Sequence, residues 1–327
     1  MSTFEEHKHL LRPTGIQNGI MKINKDVCTG CGLCILNCPC MRLEMGADNY
    51  PKIKEEHLCI SCCNCMVPCP SGAISIEQIY HVTDGFFDTG SPAVKPPLNP
   101  EDAEGKPAEW TETERLILER RSVRHFKPGP VPESLIRRVL EAGRFAPSGG
   151  NHQPWKFTVV TDPAFIARLE ETIHGVWYGL YQVYSNDETA VGLVGNLPIG
   201  SFDPRTQDGI RCIAKKELPI FFHAPVVIFL GTNDKLNNPE MSAGICGQNM
   251  NLAAMSLGLG CCWSNFAGIG ANLIPEIKSQ LGFGDSWSIK TAVCIGYPKF
   301  KQAGMVSRHF RPVTWFRPGV SGSAVEE

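Results

Sequence analysis

Ten of the 15 cysteines lie between positions 28 and 69, and eight of these repeat one spacing. Cys28-x2-Cys31-x2-Cys34-x3-Cys38-Pro39 is followed by Cys59-x2-Cys62-x2-Cys65-x3-Cys69-Pro70. Three thiolates that close together wrap one face of a [4Fe–4S] cube, and in this register the fourth Cys of each run crosses to the other cluster. The spacing assigns Cys28, Cys31, Cys34 and Cys69 to one cluster and Cys59, Cys62, Cys65 and Cys38 to a second. Gly30 and Gly32 keep the first loop narrow, so backbone N–H groups can approach sulfur and tune its potential. A structural zinc site needs two Cys pairs, not eight ligands in this order. A secreted disulfide scaffold would be short and evenly studded with Cys, whereas this block is dense and sits in a long chain. Cys40 and Cys63 fall outside the ligand register; with Cys212, Cys246 and Cys294 they read as small apolar packing residues.

A second set of residues lies in the other half. Arg120, Arg121, Ser122 and Arg124 bring three guanidinium groups and a hydroxyl together at a helix end, and arginine forks match phosphate oxygens. Pro147-Ser148-Gly149-Gly150-Asn151-His152-Gln153-Pro154-Trp155 is a tight turn of small residues that lets backbone approach a flat ligand. Gly258-Leu259-Gly260-Cys261-Cys262-Trp263-Ser264-Asn265 turns from a helix into a strand, and Ile295-Gly296-Tyr297-Pro298 is followed by Arg308 and Arg311. Cys261 and Cys262 could form a redox pair, but two small residues on a buried strand are the commoner arrangement. Trp177, Tyr181 and Tyr184 fall at i, i+4 and i+7 on one helical face, with Tyr178 beside them; such a stripe serves either packing or a substrate wall.

The elements that must hold these groups can be read from periodicity. The cysteine block is an internal repeat, each copy ending in a short alternating segment, Leu43/Met45 and Ile74/Ile76, read as small strands. Residues 84–110 carry Pro92, Pro96, Pro97, Pro100 and Pro107 without apolar periodicity and read as a linker. From Thr111 the pattern is α/β. A capping box at Thr111 and Glu114 opens one helix, and Pro132-Glu133 starts another with Leu135, Ile136, Val139 and Leu140 on one face. Strands are expected at Trp155–Val160, Val226–Leu230 and Ile289–Ile295, and a long helix at Met241–Leu257. The expected fold class is α+β: a two-cluster module over 1–83, a Pro-rich linker over 84–110, and an α/β domain over 111–327 with a central mixed sheet wrapped by helices.

Residues 20–80 resemble a bacterial-type two-cluster ferredoxin domain. The four segments from Arg120 onward resemble, in this order, the nitroreductase family of FMN enzymes, over roughly 112–318. That resemblance implies a homodimer with an FMN in each of two clefts built by both subunits. By position, Arg120, Arg121, Ser122 and Arg124 would hold the phosphate and the pyrimidine edge. Pro147, Ser148, Gly149 and Asn151 would cover the ring from the partner subunit. Trp263, Ser264 and Asn265 would lie with their backbone against the N5 edge, and Arg308 or Arg311 would supply a late phosphate contact. The segment holding Trp177, Tyr178, Tyr181 and Tyr184 would form a lid over the substrate.

Two clusters can store the electron pair that a reduced flavin needs. The expected activity is electron flow from a low-potential donor, such as reduced ferredoxin, through the clusters to FMN and on to an organic acceptor: a nitro compound, quinone, activated alkene or carbon–halogen compound. The competing readings are outward flow from NAD(P)H through FMN to a carrier, a non-catalytic redox sensor, and destruction of the flavin itself. No G-x-G-x-x-G follows an expected strand, which excludes a Rossmann dinucleotide domain. With 31 basic and 33 acidic residues in 327, the chain lacks the basic excess of a duplex nucleic-acid binder. No apolar run approaches the length of a membrane-spanning helix, and the chain's start lacks a secretory pattern, so no membrane span and a cytoplasmic location are expected.

Overall fold

The computed structural model describes residues 19–57, 59–77, 94–95, 99–185, 204–300, 305–306, 308–309, 313–319 and 324–326. They gather into two compact units, one from residues up to 112 together with those after 303, the other from 113–300. Among them no helix is long and apolar enough to cross a membrane.

In the cysteine-bearing unit, β1 (Ile20–Ile23) pairs antiparallel with β4 (Ile74–Glu77), and β2 (Leu43–Met45) with β3 (Pro51–Ile53). The first strand of each copy therefore pairs with the last strand of the other, and the sequence repeat becomes an approximate two-fold. A short helix, α1 (Leu33–Asn37), carries Cys34 and starts at Gly32, whose φ of 72° suits a residue without Cβ. Met21, Leu43, Ile74 and Ile76 form the core with Cys34, Cys59, Cys63, Cys65 and Val306.

The expected linker and domain ends differ from what is observed. β5 (Val94–Lys95) pairs with β10 (Arg308–His309), and Glu101 bridges Pro107 around a turn whose Asp102 carboxylate accepts the N–H groups of Glu104 and Lys106. Proline blocks a continuous ladder but permits short edge pairings, so these stretches are folded where a plain spacer was expected. β11 (Val313–Trp315) and β12 (Ala324–Glu326) also belong to this unit, not to the α/β unit.

The α/β unit contains α2 (Glu112–Glu119), α3 (Glu133–Arg144), β6 (Trp155–Val160), α4 (Pro163–Tyr184), α5 (Pro204–Ala214), β7 (Val226–Asn233), α6 (Pro239–Ser256), β8 (Gly260–Ser264), α7 (Asn265–Asn272), α8 (Pro275–Gln280) and β9 (Trp287–Gly296). Its strands run in the order β6-β7-β9-β8. All three pairings are antiparallel, and among the described residues the parallel component is confined to the bridge of Ser122 with Cys261. The mixed sheet expected from the element order is thus an antiparallel sheet with a single parallel contact. Helices separate the strands in sequence, and hydropathy does not encode strand direction.

Alternation along β7 explains the layers. Val226, Ile228 and Leu230 face α3 and α6, packing with Ile136, Val139, Cys246 and Met250. Val227 and Phe229 face the other side, packing with Leu169, Ile173 and Trp177 of α4 and Ala267 of α7. A strand buried on both faces reads as one continuous apolar run, and each such side chain contributes roughly 1.5–3 kcal/mol. α4 starts as its sequence indicates: the Asp162 carboxylate accepts the Ala164 N–H at 2.9 Å, with Pro163 in the first turn.

Candidate functional site

The structure brings several of the register cysteines of the cysteine-bearing unit close to one another. Cys38, Cys59, Cys62 and Cys65 line one small cavity, together with Cys40. Cys34 is influenced by both Cys31 and Cys69; burial first, then these neighbours, push its thiol up to about 11. Burial pushes Cys65 higher still, with Cys62, Cys38 and Cys59 adding to it. A bound cation would offset that burial cost for the buried thiols Cys34 and Cys65. Backbone donors already point at sulfur: Gly30 N–H to Cys28 at 3.5 Å, Arg42 N–H to Cys38 at 3.3 Å and Ala73 N–H to Cys69 at 3.2 Å. The thiols and their N–H donors suit [4Fe–4S] cubes. Gly30 has φ 67°, and a Cβ there would lie 2.6 Å from the Asn49 carbonyl, so the narrow loop does require glycine. Spacing did not reveal Arg42, which donates to the carbonyls of Lys54 and His57 and braces β2 against the start of the second copy.

In the α/β unit, the chain leaving α2 runs beside β8. Val123 N–H bonds the Cys261 carbonyl at 2.9 Å, and a Cβ on Gly260 would lie 2.7 Å from that of Val123. This close approach sets Arg120 and Arg121 at the wall of a cavity of about 390 Å³, shared with Asn251, Met255, Leu259 and Cys261. Arg121 is buried, 7% exposed. Two guanidinium groups on one wall of a cleft this size provide an anion subsite with room for a small organic ligand. Ser122 hydrogen-bonds the Cys262 thiol, and Arg124 turns away, its guanidinium 5.8 Å from the centre of the Phe222 ring. A residue missed in sequence supports that stack: the Glu170 carboxylate accepts the N–H groups of Ile220 (2.6 Å) and Phe221 (3.2 Å), bracing the turn that presents Phe222.

Asn251 was also missed. Its Oδ1 accepts the Cys261 thiol at 2.6 Å and the Trp263 indole N–H at 3.2 Å, tying two same-face residues of β8 to α6. A polar residue in a largely apolar helix was the available signal, but only the packed strand shows what it bonds. Gly247 makes the contact possible, since a Cβ there would overlap the Trp263 ring. Ser264 ends β8 with its hydroxyl accepting the Ala267 N–H at 3.4 Å; Asn265, beside it, is exposed. Cys261 and Cys262 are both buried, and successive strand residues face opposite sides of a sheet. Burial pushes Cys261 up to about 12, which suits a hydrogen-bond donor and not a redox thiolate.

Pro147, Gly149 and Asn151 are exposed and Ser148 is half-buried; none of them lines the arginine cavity of this chain. Their turn is tightly bent: Gly150, Asn151 and Gln153 have φ of 58°, 55° and 48°, and Gln153 N–H bonds the Ser148 hydroxyl at 2.9 Å. The aromatic stripe divides. Trp177 is 4% exposed, donates to the Phe266 carbonyl at 3.0 Å and meets that ring edge-on, and Tyr181 packs against the same core. These two are packing residues, which corrects their expected place in a lid. Tyr178 is exposed and stacks on His174. The Tyr184 side chain and Arg311 lie outside the described residues, as does 186–203. Arg308 stands opposite Lys95 in the cysteine-bearing unit.

The unit that carries β6–β9 is thus a helix-wrapped sheet of the α/β class with an arginine-walled cavity at one edge strand. The family description "Nitroreductase family" matches residues 117–297, more than half of the chain, so this protein belongs to the nitroreductase family and is an oxidoreductase. It is 26% identical to the 4-nitrobenzoate reductase of Pseudomonas putida over 216 residues, covering 56% of this chain and 83% of that protein. It shares a stretch of 58 residues at 50% identity with an NADH dehydrogenase of Thermus thermophilus, covering 18% of this chain and 28% of that protein's length. A solved nitroreductase with bound FMN from Bacteroides fragilis aligns over 65% of this chain and 98% of its own, at 23% identity and a TM-score of 0.47.

Proposed function

We propose that this protein is an FMN-dependent reductase in which two [4Fe–4S] clusters, held by the N-terminal cysteine block, relay electrons from a low-potential donor such as reduced ferredoxin to the flavin and on to an organic acceptor. The observation that carries this reading is the presence, on one chain, of two complete copies of the four-cysteine spacing, with Cys38, Cys59, Cys62 and Cys65 lining one cavity, and a nitroreductase domain with a paired-arginine cavity. When bound, the clusters supply one-electron steps and FMN converts these into the two-electron chemistry of an organic acceptor.

The residues have separable tasks. Cys28, Cys31, Cys34 and Cys69 hold one cluster, and Cys59, Cys62, Cys65 and Cys38 the other. Arg120 and Arg121 neutralise the FMN phosphate, and Arg124, backed by Phe222, offers positive charge to the pyrimidine edge, where it favours an anionic flavin. The backbone of Trp263–Asn265, held in place by Asn251, borders the N5 edge. Pro147, Ser148, Gly149 and Asn151 cover the flavin of a second copy in a homodimer, which accounts for a turn so tightly built and yet exposed. Arg308 or Arg311 adds a phosphate contact. Tyr178 is the aromatic residue left to meet a flat acceptor.

Anaerobic absorbance spectra with iron, sulfide and FMN quantitation test both cofactors together. Ferredoxin-driven turnover then tests the relay: Cys34→Ser is expected to abolish it while FMN stays bound, and full-rate turnover in that variant would remove the clusters from the path. The names of relatives favour a second reading, in which NAD(P)H reduces the flavin and electrons leave through the clusters. Rapid bleaching of the flavin on mixing with NADH or NADPH under argon selects that direction.

A further inference from the structure

The two copies of the cysteine repeat each end in the same turn, and comparing them gives Cys40 a role. Met41 N–H bonds the Cys38 carbonyl at 3.3 Å, and at the matching place in the second copy Gly72 N–H bonds the Cys69 carbonyl at 3.4 Å. Both turns close on a left-handed residue, Met41 at φ 51° and Gly72 at φ 63°. In both, the N–H at position i+4 from the cysteine reaches its sulfur, from Arg42 to Cys38 and from Ala73 to Cys69. The turns are one structure used twice. The residue after each proline is Ser71 in the second copy, whose Oγ lies 3.8 Å from Cys69 Sγ, so a side chain at this position reaches the ligating sulfur. In the first copy that residue is Cys40, and it lines the same cavity as Cys38, Cys59, Cys62 and Cys65. Five cysteines line one cavity, and a cube binds four.

We propose that Cys40 is a reserve ligand of the second cluster, taking over the iron that Cys38 holds whenever the Cys38 bond opens or Cys38 is absent. In the exchange the Cys40 sulfur bonds to iron as its proton leaves, and the departing Cys38 thiolate accepts a proton; no electron is transferred. At the matching position the first cluster has Ser71, whose hydroxyl is a far weaker donor to iron at neutral pH than a thiol. The consequence is an asymmetry between two sites that the primary repeat makes look equivalent.

This inference rests on the two-cluster reading, and iron content of the full chain, reconstituted anaerobically, separates the two. Wild type with about eight irons per chain establishes the clusters; a lower value removes that reading itself. Cys38→Ser is then expected to keep about eight irons, with the electron paramagnetic resonance signal of one reduced cluster shifted. The double variant Cys38→Ser/Cys40→Ser is expected to fall to about four, as is Cys69→Ser, while Cys40→Ser alone keeps about eight and shows that the fold tolerates the change. A Cys38→Ser protein that drops to the level of the double variant overturns the proposal, and so does a Cys69→Ser protein that retains all its iron.

Discussion

The two units bury themselves by different means. In the α/β unit the core is made of side chains with no other task, and Val227, Ile228, Phe229 and Leu230 are completely inaccessible. In the cysteine-bearing unit four of the nine core residues are cysteines, three of them in the ligand register. The α/β unit can therefore fold on hydrophobic burial, whereas under the proposed reading the core of the other is completed by metal. Small modules below about 80 residues rarely supply enough apolar burial and use metal or disulfide staples instead. On the proposed function, one unit is a scaffold with a cavity and the other a wrapping for iron–sulfur clusters.

Iron chelation is the largest expected blow to this contrast. Amides of β1–β4 should lose hydrogen-exchange protection almost completely, while those of β6–β9 keep theirs. Equal loss in both units would mean that they do not fold independently. Gly247→Leu should reverse the pattern, driving a side chain into Trp263 and destabilising the α/β unit by roughly 1–3 kcal/mol, with iron content unchanged. Calorimetry with iron quantitation reads both. Replacing Arg120 and Arg121 together by Ala should leave both units folded and weaken FMN binding by at least roughly 100-fold, since charged hydrogen bonds are worth roughly 1.5–3 kcal/mol each. Flavin fluorescence titration measures it. Cys261→Ser keeps a donor for Asn251 and should alter turnover less than about twofold; loss of activity would restore the redox role that burial argues against.

The smallest effect is on pH. Burial alone would raise Asp234, but hydrogen bonds from Lys290 and Ser288 outweigh it and hold the carboxyl below its ordinary value; the Lys290 ammonium does the same for Glu240. Groups lowered in the folded state stabilise it above their unfolded pKa of about 4, and that contribution is lost as pH falls through the lowered values. Lys290→Met should therefore flatten the acid limb of the α/β unit's stability curve and leave the cysteine-bearing unit unaffected.

Much of this was legible in sequence because it is local. A thiol spacing is a property of neighbours along the chain, and the ends of β6 matched because Trp155–Val160 is bounded by Pro154 and Asp162. The paired arginines were legible as a cluster, but not the fact that Arg120 and Arg121 share a cavity while Arg124 goes to Phe222. That separation depends on β8 running beside them, from a distant part of the chain. Trp177 and Tyr178 are adjacent and equally aromatic, yet one is core and the other surface, since a helix turns about 100° per residue and the neighbours decide which direction is inside.

By itself, then, the sequence determined the cysteine spacing, the repeat, the order of elements and the family, all carried by short-range patterns. Only the tertiary structure decided the antiparallel sheet, the bonding of Asn251 to β8, the return of the last residues to the cysteine-bearing unit, and the place of Cys40 among the second set of thiols. Each of those is a contact between residues far apart in the chain, and its energy comes from close packing and satisfied polar groups that no local pattern records.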